Sequence, residues 1–259
     1  MTRVSPPSLK PFRLLLLAGV AALGLSACAT NRASTGSPDY YGQTLEQSQT
    51  MLGQLSARYK QNPRDKGTII QFAAALRAAG QPEQAIAVLE GGLKLYKADL
   101  DIRIAFAKAL TAGGHFQQAM TVVDDAINPA APNWNGLLVK GAILDQMGRN
   151  VEARKLYSQA LIIAPGEASL EANIGLSFAM TNDLAEAEAH LRKAVKLRGA
   201  SSQIRQNLAL VLGLQGRFDE CRAIFAAELP PDQVEANMAY IRALLTQQNR
   251  WDLIKGDKG

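Results

Sequence analysis

Small, large apolar and turn-forming residues recur along this chain in a pattern that returns every 34 residues. One column of small residues is Ala85, Ala119, Ala153, Ala187 and Cys221. A second is Ala73, Ala107, Gly141, Gly175 and Ala209, and a third runs Gly92, Ala126, Ala160 and Ala194 until Glu228 breaks it. Large residues fill the columns between, as in Leu76, Leu110, Leu144, Phe178 and Leu212, or Leu89, Val123, Tyr157, Leu191 and Phe225. Small side chains let two helix backbones approach closely, and large ones fill the space beside each contact. Gly80, Gly114, Gly148, Asn182 and Gly216 form a column where the chain turns and needs positive φ. Each period therefore predicts helix, tight turn, helix. One such pair cannot bury its own apolar face, but a stack can.

Five units follow, at 66–99, 100–133, 134–167, 168–201 and 202–235. A helix at 43–61 falls in the second-helix phase of a preceding unit. A helix at 232–248 falls in the first-helix phase of a sixth and opens on Pro230-Pro231-Asp232, a good helix start. These half-units are the expected caps. The predicted fold is an all-α solenoid of about five full repeats plus capping helices, about twelve helices and no strands. The pattern resembles the tetratricopeptide (TPR) repeat over roughly 43–248, most closely in the third unit, where Leu137, Gly141, Leu144, Ala153, Tyr157, Ala160 and Pro165 are in phase. The resemblance implies a protein-binding array, since TPR stacks mostly bind other proteins.

The start of the chain reads as an export leader over 1–27. Arg3, Lys10 and Arg13 make a basic start, and Leu14 to Leu25 is an apolar run. A permanent span needs about 20 apolar residues, and this run is shorter. It ends Leu25-Ser26-Ala27-Cys28, which resembles the bacterial lipobox. That resemblance implies cleavage before Cys28 and lipid on its sulfur, hence a membrane attachment; an ordinary leader with a coincidental cysteine is the alternative. Ala29, where retained lipoproteins resemble one another in carrying aspartate, implies transfer to the outer membrane, facing the periplasm. Residues 28–42 are small and polar and read as a flexible tether, which at this length reaches roughly 20 Å. Residues 249–259 read as a polar tail.

The net charge of +5 shrinks once the leader is removed, because its three basic residues leave 25 basic against 23 acidic. So small an excess gives no basis for nucleic-acid binding. With Cys28 lipidated, Cys221 has no partner, and its place in a small-residue column reads as packing. No catalytic constellation is present. His115 lies in a turn and His190 in a second helix, with no His-Glu-x-x-His. Gly175-Leu176-Ser177-Phe178-Ala179 fails as a nucleophile elbow, since it ends in alanine and lies inside a helix. Gly91-Gly92 and Gly113-Gly114 lack the residues of a phosphate loop. The acidic pairs read as solvated helix faces. The expectation is a non-enzymatic chain with no cofactor and no metal.

A partner would meet the exposed stripe of the first helices, which line the concave face of a TPR-like curve. That stripe is expected to hold Arg77, Lys108 and Asp145 in the early units. Later it is expected to hold Ala172, Leu176, Ala179 and Met180, then Gln206, Leu210 and Leu214. The later half is apolar and suggests a groove for an apolar peptide or an amphipathic helix. The alternative is that the curve of the array or the terminal helix covers it. The basic clamp that chaperone-binding TPRs use for a terminal carboxylate is not matched.

The run from Gln206 to Asp219, followed by Leu229 to Arg242, resembles the TadD-type TPR lipoproteins of tight-adherence (Flp) pilus systems. Cys221 departs from the usual alanine, and Lys97 and Ala131 from the repeat-ending proline. The resemblance implies a role in assembling an outer-membrane secretin or the pilus apparatus, in the manner of a pilotin. A general envelope lipoprotein serving cell-wall synthesis or outer-membrane protein assembly is the second reading. An exported hydrolase regulated by repeats is the third, and no stretch of chain is left over to hold its site.

Overall fold

In each unit the first helix is opened by a short polar side chain, and these openers keep the 34-residue step. Asp65 accepts from the Thr68 amide at 2.6 Å, Asp99 from Asp101 and Ile102, Asn133 from Gly136 at 2.7 Å and Ser201 from Ile204. Each satisfies an amide that the first turn of a helix leaves without a partner. The fourth unit opens on Glu167, which makes no such bond. Thr68 bonding holds the Asp65 carboxyl below its ordinary range.

The structure is a computed structural model that describes residues 45–256. The leader, Cys28 and the tether lie outside the described residues, as do 257–259. Twelve helices and no strands occur among the described residues. Helix α1 (Leu45–Gln61) precedes the first unit, α2 (Lys66–Ala78) with α3 (Pro82–Leu95). Then come α4 (Leu100–Ala112) with α5 (Phe116–Ala126), and α6 (Trp134–Gln146) with α7 (Asn150–Ile163). The last two units are α8 (Ala168–Met180) with α9 (Leu184–Lys196), and α10 (Ser202–Leu214) with α11 (Phe218–Glu228). Helix α12 (Pro231–Gly256) closes the array.

The turn column does what positive φ requires. Gly80, Gly114, Gly148 and Gly216 sit at φ between 71° and 80°, and Asn182 takes the same place at 62°. The residue after each turn sends its amide back to the large residue near the helix end: His115 to the Leu110 carbonyl at 2.8 Å, Arg149 to Leu144 at 2.9 Å. This bond closes the helix end and is the Schellman arrangement. One large column thus serves twice, with its side chains in the core and its carbonyls in the turn. Asparagine is the non-glycine residue best suited to this conformation, because its short polar side chain tolerates it.

Packing explains the small columns. Ala85, Ala119, Ala153, Ala187 and Cys221 are fully buried, as are Ala73, Ala107 and Ala209 to within 1%. A Cβ at Gly175 would stand 2.9 Å from the Ala187 carbonyl oxygen, so α8 and α9 touch backbone to backbone there. The buried apolar residues form neighbouring clusters along the stack, with Leu55 of α1 sealing one end and Val234, Met238 and Ile241 of α12 the other. The first helices pack against the first helices of the next unit as well as against their own partners. They form the inner side of the stack.

One expected boundary differs. Residues 249–256, read as part of a polar tail, continue α12, which runs for 26 residues against 13 in the first helices of the five units. No glycine or proline interrupts the segment before Gly256. Arg250, Leu253 and Lys255 are good helix formers, so nothing local ends the helix earlier.

Candidate partner-binding interface

The inner side of the stack is built from α2, α4, α6, α8 and α10, completed by α12. The predicted stripe divides here. Ala172, Leu176 and Leu210 are buried, at 0, 6 and 5% exposure, and belong to the apolar core of the last two units. Ala179, Met180, Gln206 and Leu214 are half-buried. In the early units Lys108 and Asp145 are buried and Arg77 is half-buried. The structure therefore lacks the open apolar strip expected at these positions. The flank of a first helix faces the first helix of the next unit, and that contact takes Ala172, Leu176 and Leu210 into the interior.

Polar side chains occupy much of the space instead. Asn135, Ser169, Asn173, Gln203 and Asn207 are all buried on α6, α8 and α10. Asn173 donates to the Ser169 carbonyl at 2.8 Å, and Gln203 Nε2 donates to Asn207 Oδ1 at 3.0 Å. Asn135 Oδ1 and Asn207 Nδ2 are buried without a hydrogen-bond partner. Buried amides are ordinarily paired, and each unpaired one costs about 1–3 kcal/mol.

A second polar group joins the third unit to the fourth. Asp145 accepts from Asn150 Nδ2 and the Tyr157 hydroxyl at 2.8 Å, and from the Ser177 hydroxyl at 2.7 Å. Arg154 lies 4.4 Å over the Phe178 ring and donates to the Ser177 carbonyl at 3.1 Å. On the other side of the same region Glu171 is wholly buried. His190 Nδ1 stands 2.8 Å from its Oε2, and the Lys193 ammonium lies against its Oε1. The His190 ring stacks on Phe178 with centroids 5.6 Å apart. This chain of contacts from Asp145 to Lys193 crosses four helices. It acts as a staple: Ser177 and Asp145 are buried and bonded to each other across the joint between the two units.

Burial pushes the Asp145 carboxyl above its ordinary value of 3.8, while the bonds from Ser177, Tyr157 and Asn150 and the charge of Arg154 pull the other way. The folded array thus binds this proton more tightly than the unfolded chain does. Its contribution to stability is complete below 3.8 and is lost as pH rises through the raised value. The variant Asp145→Asn should flatten that part of the stability profile. Urea midpoints taken from about pH 7 down to about pH 4 check this. A variant profile parallel to that of the parent chain would show that Asp145 does not set the slope.

The 34-residue columns carry no sign of this staple. Its members sit at unlike repeat positions, and the column holding Asp145 reads Arg77, Thr111, Asp145, Ala179 and Gly213. The helix openers, by contrast, stand in register in the sequence and are open to detection there. Cys221 lies where its column predicts, fully buried, with its thiol 3.6 Å from Met238 Sδ and its pKa pushed up to about 11 by burial. His115 stands 3.1 Å from Glu83 on an exposed turn. Among the described residues no three His, Cys, Asp or Glu side chains gather as a metal site, and no helix is long and apolar enough to cross a membrane.

Known proteins share this architecture. Residues 76–141 match the tetratricopeptide repeat family. A thermophilic TPR protein of Thermus thermophilus is similar in structure, with a TM-score of 0.60 at 21% identity, over 69% of this chain and 100% of that one. Human IFIT1, solved as a dimer with PPP-AAAA, is similar with a TM-score of 0.55 at 14% identity, over 71% of this chain and 46% of that one. No curated protein sequence matches the chain. At these identities the likeness is one of fold: a TPR-like solenoid. Such a fold suggests a scaffold for protein–protein interaction.

Proposed function

We propose that the chain is an outer-membrane lipoprotein, anchored through Cys28 on the periplasmic face, that serves as an assembly scaffold for a tight-adherence pilus secretion apparatus. The observation that carries the scaffold reading is a TPR-like solenoid of five helix pairs whose first helices pack on one another along one side of the stack. The leader ending in Leu25-Ser26-Ala27-Cys28 supports the anchor. The resemblance of Gln206–Asp219 and of the segment that forms the start of α12 to TadD-type lipoproteins supports the pilus role and a secretin or neighbouring assembly component as partner.

Co-purification of the lipidated chain from its own envelope is the test. The expected result is recovery of a secretin or another component of the pilus apparatus in stoichiometric amount. Recovery of cell-wall synthases or the outer-membrane insertion machinery in its place would establish the general envelope reading and end the pilus one. Charged substitutions at Leu176 and Leu210 are unsuitable for this purpose. Both are core residues, and a buried unpaired carboxylate would unfold the last units whether or not a partner binds there.

A further inference from the structure

Each second helix ends on a loop that leads to the next unit, and the repeat register sets these loops in sequence along one rim of the stack. At this rim the end of α7 is apolar and open. Ile162 is 84% exposed and Ile163 46%. Other units hold Lys94, Asn128 and Lys196 at the repeat position of Ile162, so the fold does not call for an apolar side chain there. The segments 126–133 and 159–166 carry no charged residue, and Pro129, Ala130 and Ala131 of the first are exposed. The loop after α9 is cationic. Lys196 and Arg198 are exposed and enter no ion pair among the described residues. Asp124, which lies before the first of these segments, is taken up by Lys140 at 2.6 Å. The opposite rim, where the tight turns lie, carries both signs of charge and pairs them, as in Arg149 with Glu152 and Arg217 with Glu220.

We infer that the rim centred on Ile162 rests on an anionic phospholipid surface, with Ile162 and Ile163 entering the interface and Lys196 and Arg198 meeting lipid phosphates. The contact goes beyond the scaffold reading and does not depend on lipid at Cys28. Three physical arguments select the occupant. An isoleucine this exposed buries almost nothing within the array and gains only by leaving water against something else. It stands out from a helix end instead of lining a groove, so a surface that yields around it suits it better than a rigid partner. Apolar side chains that enter a bilayer from the side of the headgroups go about 5–10 Å deep, and cations beside them are drawn to anionic lipid. The third argument is charge: the cations of the fourth unit are unpaired and adjoin the apolar tip, whereas Glu152 and Glu220 on the opposite rim would be repelled. The array would therefore meet the membrane by one rim and keep its turns in water.

The test uses the full chain with Cys28→Ser, which removes the proposed anchor and leaves Cys221, a buried thiol, as the one native cysteine. A polarity-sensitive fluorophore is attached at Ile162→Cys in one protein and at Val151→Cys in another. Val151 is 62% exposed at the other end of α7, about 16 Å away along the helix, and serves as the control. Vesicles of phosphatidylethanolamine with phosphatidylglycerol should shift the emission at residue 162 to the blue, saturably, and leave the probe at residue 151 in place. Vesicles of phosphatidylcholine alone should move neither. Lys196→Glu with Arg198→Glu, at exposed positions where folding is not at risk, should raise the lipid needed for half the shift about tenfold or more. No shift at residue 162, an equal shift at residue 151, an equal shift with phosphatidylcholine, or an unchanged response in the charge-reversed variant would each overturn the inference. A probe that ignores vesicles and shifts with the co-purified partner, or with rising protein concentration alone, assigns the rim to a protein or to a second copy and overturns it too. Failure here while the parent chain still fractionates with the outer membrane removes the rim contact and leaves the anchor standing. Loss of the anchor reading, in turn, leaves this result untouched.

Discussion

Replacing Ala153 by tryptophan is expected to lower the thermal midpoint of the array by about 10 °C. Ala153 has no solvent exposure and lies in the column where α6 and α7 close on each other. Tyr157, one turn further along α7, is also at 0% exposure and is held by its bond to Asp145. Neither the backbone of α6 nor the Tyr157 ring is free to make room for an indole. Overpacking of this kind costs about 1–3 kcal/mol and sometimes more. For a chain of this size each kcal/mol lowers the midpoint by roughly 2–4 °C, and the upper end of that range applies where nothing can yield. In a stacked array the loss spreads to both neighbours, because each unit is stabilised by the next. Differential scanning calorimetry of the two proteins measures it, and an unchanged midpoint would contradict the packing assigned to this column.

The second large effect concerns the anchor. Cys28→Ser is expected to abolish incorporation of labelled fatty acid and to remove the chain from the outer-membrane fraction. Lipid attachment requires the thiol, since the sulfur is the nucleophile and the serine hydroxyl at the same place is a far weaker one. Acyl chains supply about 0.8 kcal/mol per buried CH₂, so losing them removes the whole of the proposed attachment. The uncleaved leader is no substitute, because its apolar run from Leu14 to Leu25 falls short of the roughly 20 residues that a stable span needs. Fractionation of the two proteins on a density gradient, with an antibody to the repeat region, decides the matter. A serine variant still at outer-membrane density would remove Cys28 from the account.

The repeat is legible because its signals are local and repeated. A glycine at Gly80 has one conformational reason, and five residues in the same place carry the same reason. The small columns are legible for the same cause, since Ala187 and Gly175 answer to one backbone contact wherever the pair occurs. The binding face is less so. Counting away from the buried columns, which gives the inner stripe, treats each helix as facing one neighbour. Leu176 and Leu210 face two, their own second helix and the first helix of the adjoining unit. That second contact depends on the rotation between units, a quantity no single repeat encodes. Lys108 and Asp145 leave the predicted surface by the same geometry.

Sequence alone determined the period, the helix pairs, the turns at positive φ and the columns where helices touch, because each is set within 34 residues by backbone sterics and side-chain size. The proposed leader and anchor at Cys28 also rest on sequence, and reading them needs no fold. The tertiary structure decided what the inner side offers. Stacking brings Ser177 of the fourth unit onto the carboxylate that Asn150 and Tyr157 already hold within the third, and sets α12 beside the buried Asn207 amide. The Ser177–Asp145 contact joins residues 32 positions apart in different units, and the angle at which one unit settles on the next selects it.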